Sequence, residues 1–144
     1  MSKSSLLVVL IEEDGVVRSL LRRLLLEEGM SAKEFADPRA FLREIQDLSE
    51  EERKSVSLIV TECDFKSEPG FAVLDFMREF RANSDFSSVP FLILSRWELF
   101  PSTALSGLGA VAQLRKDATD VERIVTTVRQ LLSDSSVLGR KEGS

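Results

Sequence analysis

Six consecutive apolar residues, Leu6-Leu7-Val8-Val9-Leu10-Ile11, end abruptly in Glu12-Glu13-Asp14. A run this short, with β-branched residues and no polar alternation, predicts a strand covered on both faces, as in a parallel sheet. Leu58-Ile59-Val60 repeats the pattern and runs into Glu62-Cys63-Asp64 and the turn Pro69-Gly70. Two strands tipped with acids therefore organise whatever this chain folds into.

The segments between such runs have helical spacing. Asp14 can cap a helix whose apolar positions are Val17, Leu20, Leu21 and Leu24, with Gly29 as its stop. Met30–Phe35 reads as an alternating strand. Asp37-Pro38 opens a second helix striped by Phe41, Leu42, Ile45 and Leu48. Ser49–Ser55 is a charged turn or helix extension, and Val56–Thr61 is the third strand. Val73, Leu74, Met77 and Phe80 stripe the next helix, and Pro90–Leu94 is the fourth strand. Pro101 should leave only a short or irregular helix, ending at Gly107 or Gly109. Ala110–Arg115 is a fifth strand. Thr119-Asp120-Val121-Glu122 has the capping-box pattern, ahead of a helix carrying Val121, Ile124, Val125, Val128 and Leu131. From Ser133 the residues read as a frayed tail. The expected fold class is α/β, a doubly wound five-stranded parallel sheet in a three-layer sandwich, with its site beyond the strand C-terminal ends. The expected organisation is one domain over residues 5–134 and a flexible tail or linker over 135–144.

Composition narrows the chemistry. The chain has no histidine, which excludes imidazole catalysis, imidazole metal ligation and a phosphohistidine. Its single cysteine, Cys63, cannot form an internal disulfide and, lying between two acids, reads as inert rather than as a redox sensor. A net charge of −5 argues against sequence-independent nucleic-acid binding, which needs a basic face. No apolar run approaches the ~20 residues that span a bilayer, and Met1–Ser5 lacks a signal-peptide pattern. A cytoplasmic location is expected.

A doubly wound fold would gather Glu12, Glu13, Asp14, Glu62, Asp64, Ser95 and Lys116 at one rim. Carboxylates, a hydroxyl and an ammonium at one point suggest magnesium-assisted phosphoryl chemistry. On these residues the chain resembles the receiver domain of two-component response regulators, over nearly its whole length. Glu12 and Glu13 stand at the family's acid pair, and Arg18 lies five residues beyond the second. Glu62, eight residues before Gly70, stands at the phosphoacceptor position. Ser95 matches the hydroxyl after the fourth strand, and Lys116 falls seven residues after Gly109.

The departures bear on function. The phosphoacceptor and both acid-pair positions are Glu where the family has mainly Asp. Phe65-Lys66 replaces Met-Pro, Asp117 replaces the proline after the lysine, Gln113 replaces the switch aromatic, and Arg96 replaces a small residue. Glutamate is one methylene longer than aspartate, and a misplacement of about 1 Å can cost on the order of 10²-fold in an in-line displacement. Three such lengthenings would crowd magnesium, so any binding at Glu13, Glu62 and Asp64 should be weak and no cofactor is expected. The longer Glu62 is expected to reach Lys116 directly, in place of a phosphoryl group. Arg96 could extend over the acids. Trp97 reads either as helix packing or as an exposed anchor. Leu99, Leu105 and Leu108 are expected to cover the sheet.

The resemblance implies a signalling interaction module and not an enzyme: a phosphorylation-independent pseudo-receiver. It would contact other signalling proteins, or a second copy of itself, through the last two helices and fifth strand, with Arg96, Trp97 and Gln113 on that face. No membrane or direct nucleic-acid partner is expected. The alternatives are a working phosphoacceptor using Asp64 or Glu62, and a flavodoxin-like binder of a small ligand. The last needs a phosphate cradle after the first strand, where this chain has Glu12-Glu13-Asp14-Gly15.

Overall fold

The computed structural model describes residues 6–63, 72–83, 86, 88–95, 99–105, 107–109, 111–116 and 121–143, with the backbone alone at 102 and 135–143. Five strands form one parallel sheet: β1 (Leu7–Ile11), β2 (Ser31–Phe35), β3 (Val56–Glu62), β4 (Phe91–Ser95) and β5 (Val111–Arg115). Their order is β2-β1-β3-β4-β5, the doubly wound arrangement that the sequence predicts. The helices are α1 (Gly15–Glu27), α2 (Pro38–Glu44), α3 (Glu50–Ser55), α4 (Val73–Arg81) and α5 (Val121–Gly143).

Alternation along the strands builds two cores. Val8, Leu10, Leu58, Val60, Leu92 and Leu94 face α1 and α5, meeting Leu21, Leu25, Ile124, Val125 and Val128. Val9, Ile11, Ile59, Phe91 and Ile93 face α2 and α4, meeting Phe41, Val73, Phe76, Met77 and Phe80. The second core is rich in phenylalanine. Phe80 sits at its middle, stacked on Phe86 at 4.9 Å between ring centroids and within 5.4 Å of Phe91. On α1 the expected Leu21 is buried, Val17 and Leu24 pack partly buried beside it, and Leu25 joins them while Leu20 is only half-buried.

Local signals act largely as expected. Asp14 accepts from the amides of Val16 and Val17, and Asp37 from that of Ala40 with Pro38 in the first turn. The charged segment after α2 forms a helix of its own. Ser49 and Glu52 close a reciprocal capping box there, and a short 3-10 turn, Ile45–Asp47, leads into it. The pattern at Thr119–Asp120 lies outside the described residues. The backbone of α5 is helical to Gly143. Between β4 and β5 the described residues hold a 3-10 turn, Ser102–Leu105, the short element expected after Pro101. Pro101 ahead of the turn, and Gly107 and Gly109 at φ +83°, keep it short. Leu108 is buried and Leu105 packs against the core, but Leu99 is exposed rather than covering the sheet.

Replacing Phe80 with Ala should destabilise the chain by about 3–5 kcal/mol, since a ring is deleted from a close-packed cluster. Denaturant unfolding checks this. Val16→Ser, at the most exposed large apolar position, should shift stability by less than about 0.5 kcal/mol.

Candidate functional site

Register decides which acids meet. Ile11 pairs with Thr61 across β1 and β3, so Glu12 and Glu62 leave neighbouring strands, about 4.8 Å apart, at the same level. Ile93 and Leu94 pair with Thr61 and Glu62, which sets Ser95 one residue further on, beside Arg115 of β5. Continuing the alternation, Glu12 falls on the side of Val8 and Leu10, Glu62 with Leu58 and Val60, and Lys116 with Ala112 and Leu114. All three lie on the α1/α5 side of the sheet. Ser95 and Gln113 fall on the other.

The trio is satisfied from within. The Lys116 ammonium donates to Glu12 Oε1 at 2.8 Å, and the Asp14 amide donates to Glu12 Oε2 at 3.1 Å. Glu62 Oε2 accepts from the Glu13 amide at 2.9 Å. The expected pair of Glu62 with Lys116 is therefore corrected: the ammonium goes to Glu12, one strand further from β5 than Glu62. The physical reason is the turn after β1, which aims the Glu13 N–H at Glu62 and so gives that carboxyl a donor of its own. The backbone amide at 13 carries no side-chain identity, so nothing in the sequence marks it.

Glu12 and Glu62 are only 3% and 6% exposed. Burial raises the Glu62 pKa from 4.5 to about 7, opposed by the Glu13 amide, raised further by the Glu12 carboxyl that hydrogen-bonds it, and lowered by the charge on Lys116. A hydrogen bond between two carboxyl groups needs a proton on one of them, and burial favours the protonated form of Glu62. Such a group could in principle donate a proton. Its burial, however, leaves little of it to reach a substrate.

The surrounding residues hold this arrangement in place. Arg18 Nη1 donates to the Glu12 carbonyl at 2.6 Å and Arg18 Nε to Glu34 at 3.0 Å. It thus braces the turn after β1 against β2. Asp14, third of the acids, is spent as the α1 cap. Glu13 is half-buried beside them. The Lys116 amide donates to the Ser95 carbonyl at 2.6 Å, tying the ends of β4 and β5. Ser95 itself is buried. Cys63 is half-buried against the phenylalanine core. Asp64, Phe65, Lys66, Gly70, Arg96, Trp97 and Asp117 lie outside the described residues. Gln113 binds the backbone of Phe100: it accepts from the amide at 2.8 Å and donates to the carbonyl at 2.9 Å.

Magnesium, which the receiver resemblance implies, needs free carboxylate oxygens. Both Glu12 oxygens and one of the two on Glu62 are already engaged. Among the described residues no three acid or sulfur ligands come together in a cluster able to hold a metal ion. No helix among them is long and apolar enough to cross a membrane.

No family model and no curated protein matches the sequence. Solved structures do match in fold. Chemotaxis response regulator CheY4 of Vibrio cholerae superposes with a TM-score of 0.71 at 20% identity, over 88% of this chain and 98% of that one. A response regulator receiver protein from Pseudomonas putida gives 0.68 at 19%, over 87% and 96%. The Francisella response regulator 1452 receiver domain gives 0.69 at 16%, over 90% and 98%. The fold is thus the α/β flavodoxin-like fold of CheY-type receiver domains.

Protonation of Glu62 should be visible in stability. The folded state binds this proton more tightly than the unfolded chain, so stability falls as pH rises from about 4.5 towards 7 and then levels off. Glu62→Gln keeps the acceptor for Glu13 and a donor for Glu12 with no charge to bury. It should be more stable than wild type at pH 8 by about 2–3 kcal/mol, a gap that closes by pH 5. Thermal melts across that range check both the sign and the window.

Proposed function

We propose that this chain is a signalling interaction module on a receiver fold that works without phosphorylation. The observation that supports this best is the Lys116–Glu12 pair at 2.8 Å. An ammonium that would meet a phosphoryl oxygen in a working receiver already has a buried carboxylate, and Glu62 at the acceptor position has its own donor in the Glu13 amide.

The chemistry of the acceptor position agrees. A nucleophilic carboxylate should be ionised and reach outward. Glu62 is buried, retains its proton near neutrality and points an oxygen at the backbone of the neighbouring turn. Magnesium binding is unnecessary for such a module, because Lys116 already supplies a cation to Glu12. Its activity would be contact with another protein rather than catalysis, and it needs neither a membrane nor a nucleic acid. The same reading places the chain in the cytoplasm, where a receiver-type module would meet its partners. The partner face would be formed by β5, α5 and the β4–β5 connection.

Incubation with magnesium and acetyl phosphate, followed by intact mass, is the direct test. Wild type and Glu62→Asp should both gain no phosphoryl mass. A gain in wild type mapping to Glu62 or Asp64 would restore the phosphoacceptor alternative. Lys116→Met separately tests whether the pair is structural. Leaving Glu12 buried and unpaired should cost about 3–5 kcal/mol in an unfolding titration.

A further inference from the structure

We propose that Gln113 and Arg81 are positioning residues that tether the β4–β5 connection at Phe100 and Leu108, so that these two points stay in place whatever the state of the Glu12–Glu62–Lys116 trio. The inference rests on the phosphorylation-independent reading above and supplies its structural consequence, a partner face that is always presented. Among the described residues of this connection the regular element is one 3-10 turn, Ser102–Leu105, which by itself does little to fix it. Something else must do so.

At the entry, Gln113 uses both halves of its amide on one residue. Its oxygen takes the Phe100 N–H and its nitrogen reaches the Phe100 carbonyl, as a neighbouring strand would. Only a side chain with a donor and an acceptor at this spacing can do this; a carboxylate or an aromatic ring cannot. At the exit, Arg81 of α4 donates from Nε to the Leu108 carbonyl at 2.8 Å and from Nη1 to the Phe86 carbonyl at 2.9 Å. Its guanidinium carbon lies 5.0 Å from the Phe91 ring centroid. Arg81 Nη2 is buried without a hydrogen-bond partner among the described residues, and a Cβ at Gly109 would sit 2.9 Å from it. Gly109 thus supplies both the positive φ and the room for the guanidinium. Between the two tethers, Leu105 and Leu108 anchor into the core while Leu99 stays exposed.

Placement supports the independence. Gln113 falls on the sheet face covered by α4, with Val111, whereas the acid trio falls on the face covered by α1 and α5. Among the described residues the hydrogen bonds of the two tethers and those of Glu12, Glu62 and the Lys116 side chain go to different partners.

Amide hydrogen exchange on the full chain at neutral pH tests this. Gln113→Met should speed exchange at Phe100 about 10–100-fold, while Ile93 and Leu114 in the strands stay near wild type. Gln113→Leu, which is close in size and loses both the donor and the acceptor, should act in the same direction and stands in should the Met variant fold poorly. Arg81→Lys should speed exchange at Leu108. Glu12→Gln and Lys116→Met should leave Phe100 and Leu108 unchanged. The proposal is overturned if neither Gln113 variant speeds Phe100, or if breaking the acid trio speeds it as much. A phosphoryl gain with acetyl phosphate would defeat the phosphorylation-independent reading, and the exchange at Phe100 would still report on the tethers.

Discussion

Two glutamates buried at neighbouring strand ends constrain everything around them. Ionised carboxylates are costly to remove from water, and Glu12 and Glu62 are brought side by side by the pairing of Ile11 with Thr61. The chain meets the cost in three ways. Lys116 neutralises Glu12, the turn after β1 offers amides from Glu13 and Asp14, and Glu62 keeps a proton. Each requires another element in place: β5 to carry Lys116, the α1 cap to shape the turn, and Arg18 to hold the Glu12 carbonyl. A buried ion pair of this kind need add no net stability; removing one partner is what costs.

The receiver-like geometry is present, and the groups at its rim are paired with one another. The strand order, the acid-tipped strand ends and the lysine after β5 are all present. The carboxyl groups of Glu12 and Glu62 are buried there and find their donors inside the protein.

The opposite face of the sheet depends on size rather than charge. A connected set of phenylalanine rings, from Phe35 through Phe41, Phe76 and Phe80 to Phe86 and Phe91, fills the space under α2 and α4. Arg81 is admitted to its edge because carbonyls and a ring face accept its guanidinium; its pKa is lowered by burial. The β4–β5 connection is built on that edge, away from the acids.

The sequence by itself determined the strands, the layer order and the positions of Glu12, Glu62, Ser95 and Lys116, because apolar runs, caps and spacings are local signals. It also foretold a short element after Pro101. Tertiary structure alone decided who pairs with whom. Lys116 chose Glu12 over Glu62, a backbone amide took Glu62, and Gln113 took both backbone groups of Phe100. On α1 Leu25 joined the expected Leu21 in the buried stripe. Local pattern fixes where a side chain starts. Its partner depends on register between strands far apart in the chain, and on backbone groups that every residue carries alike.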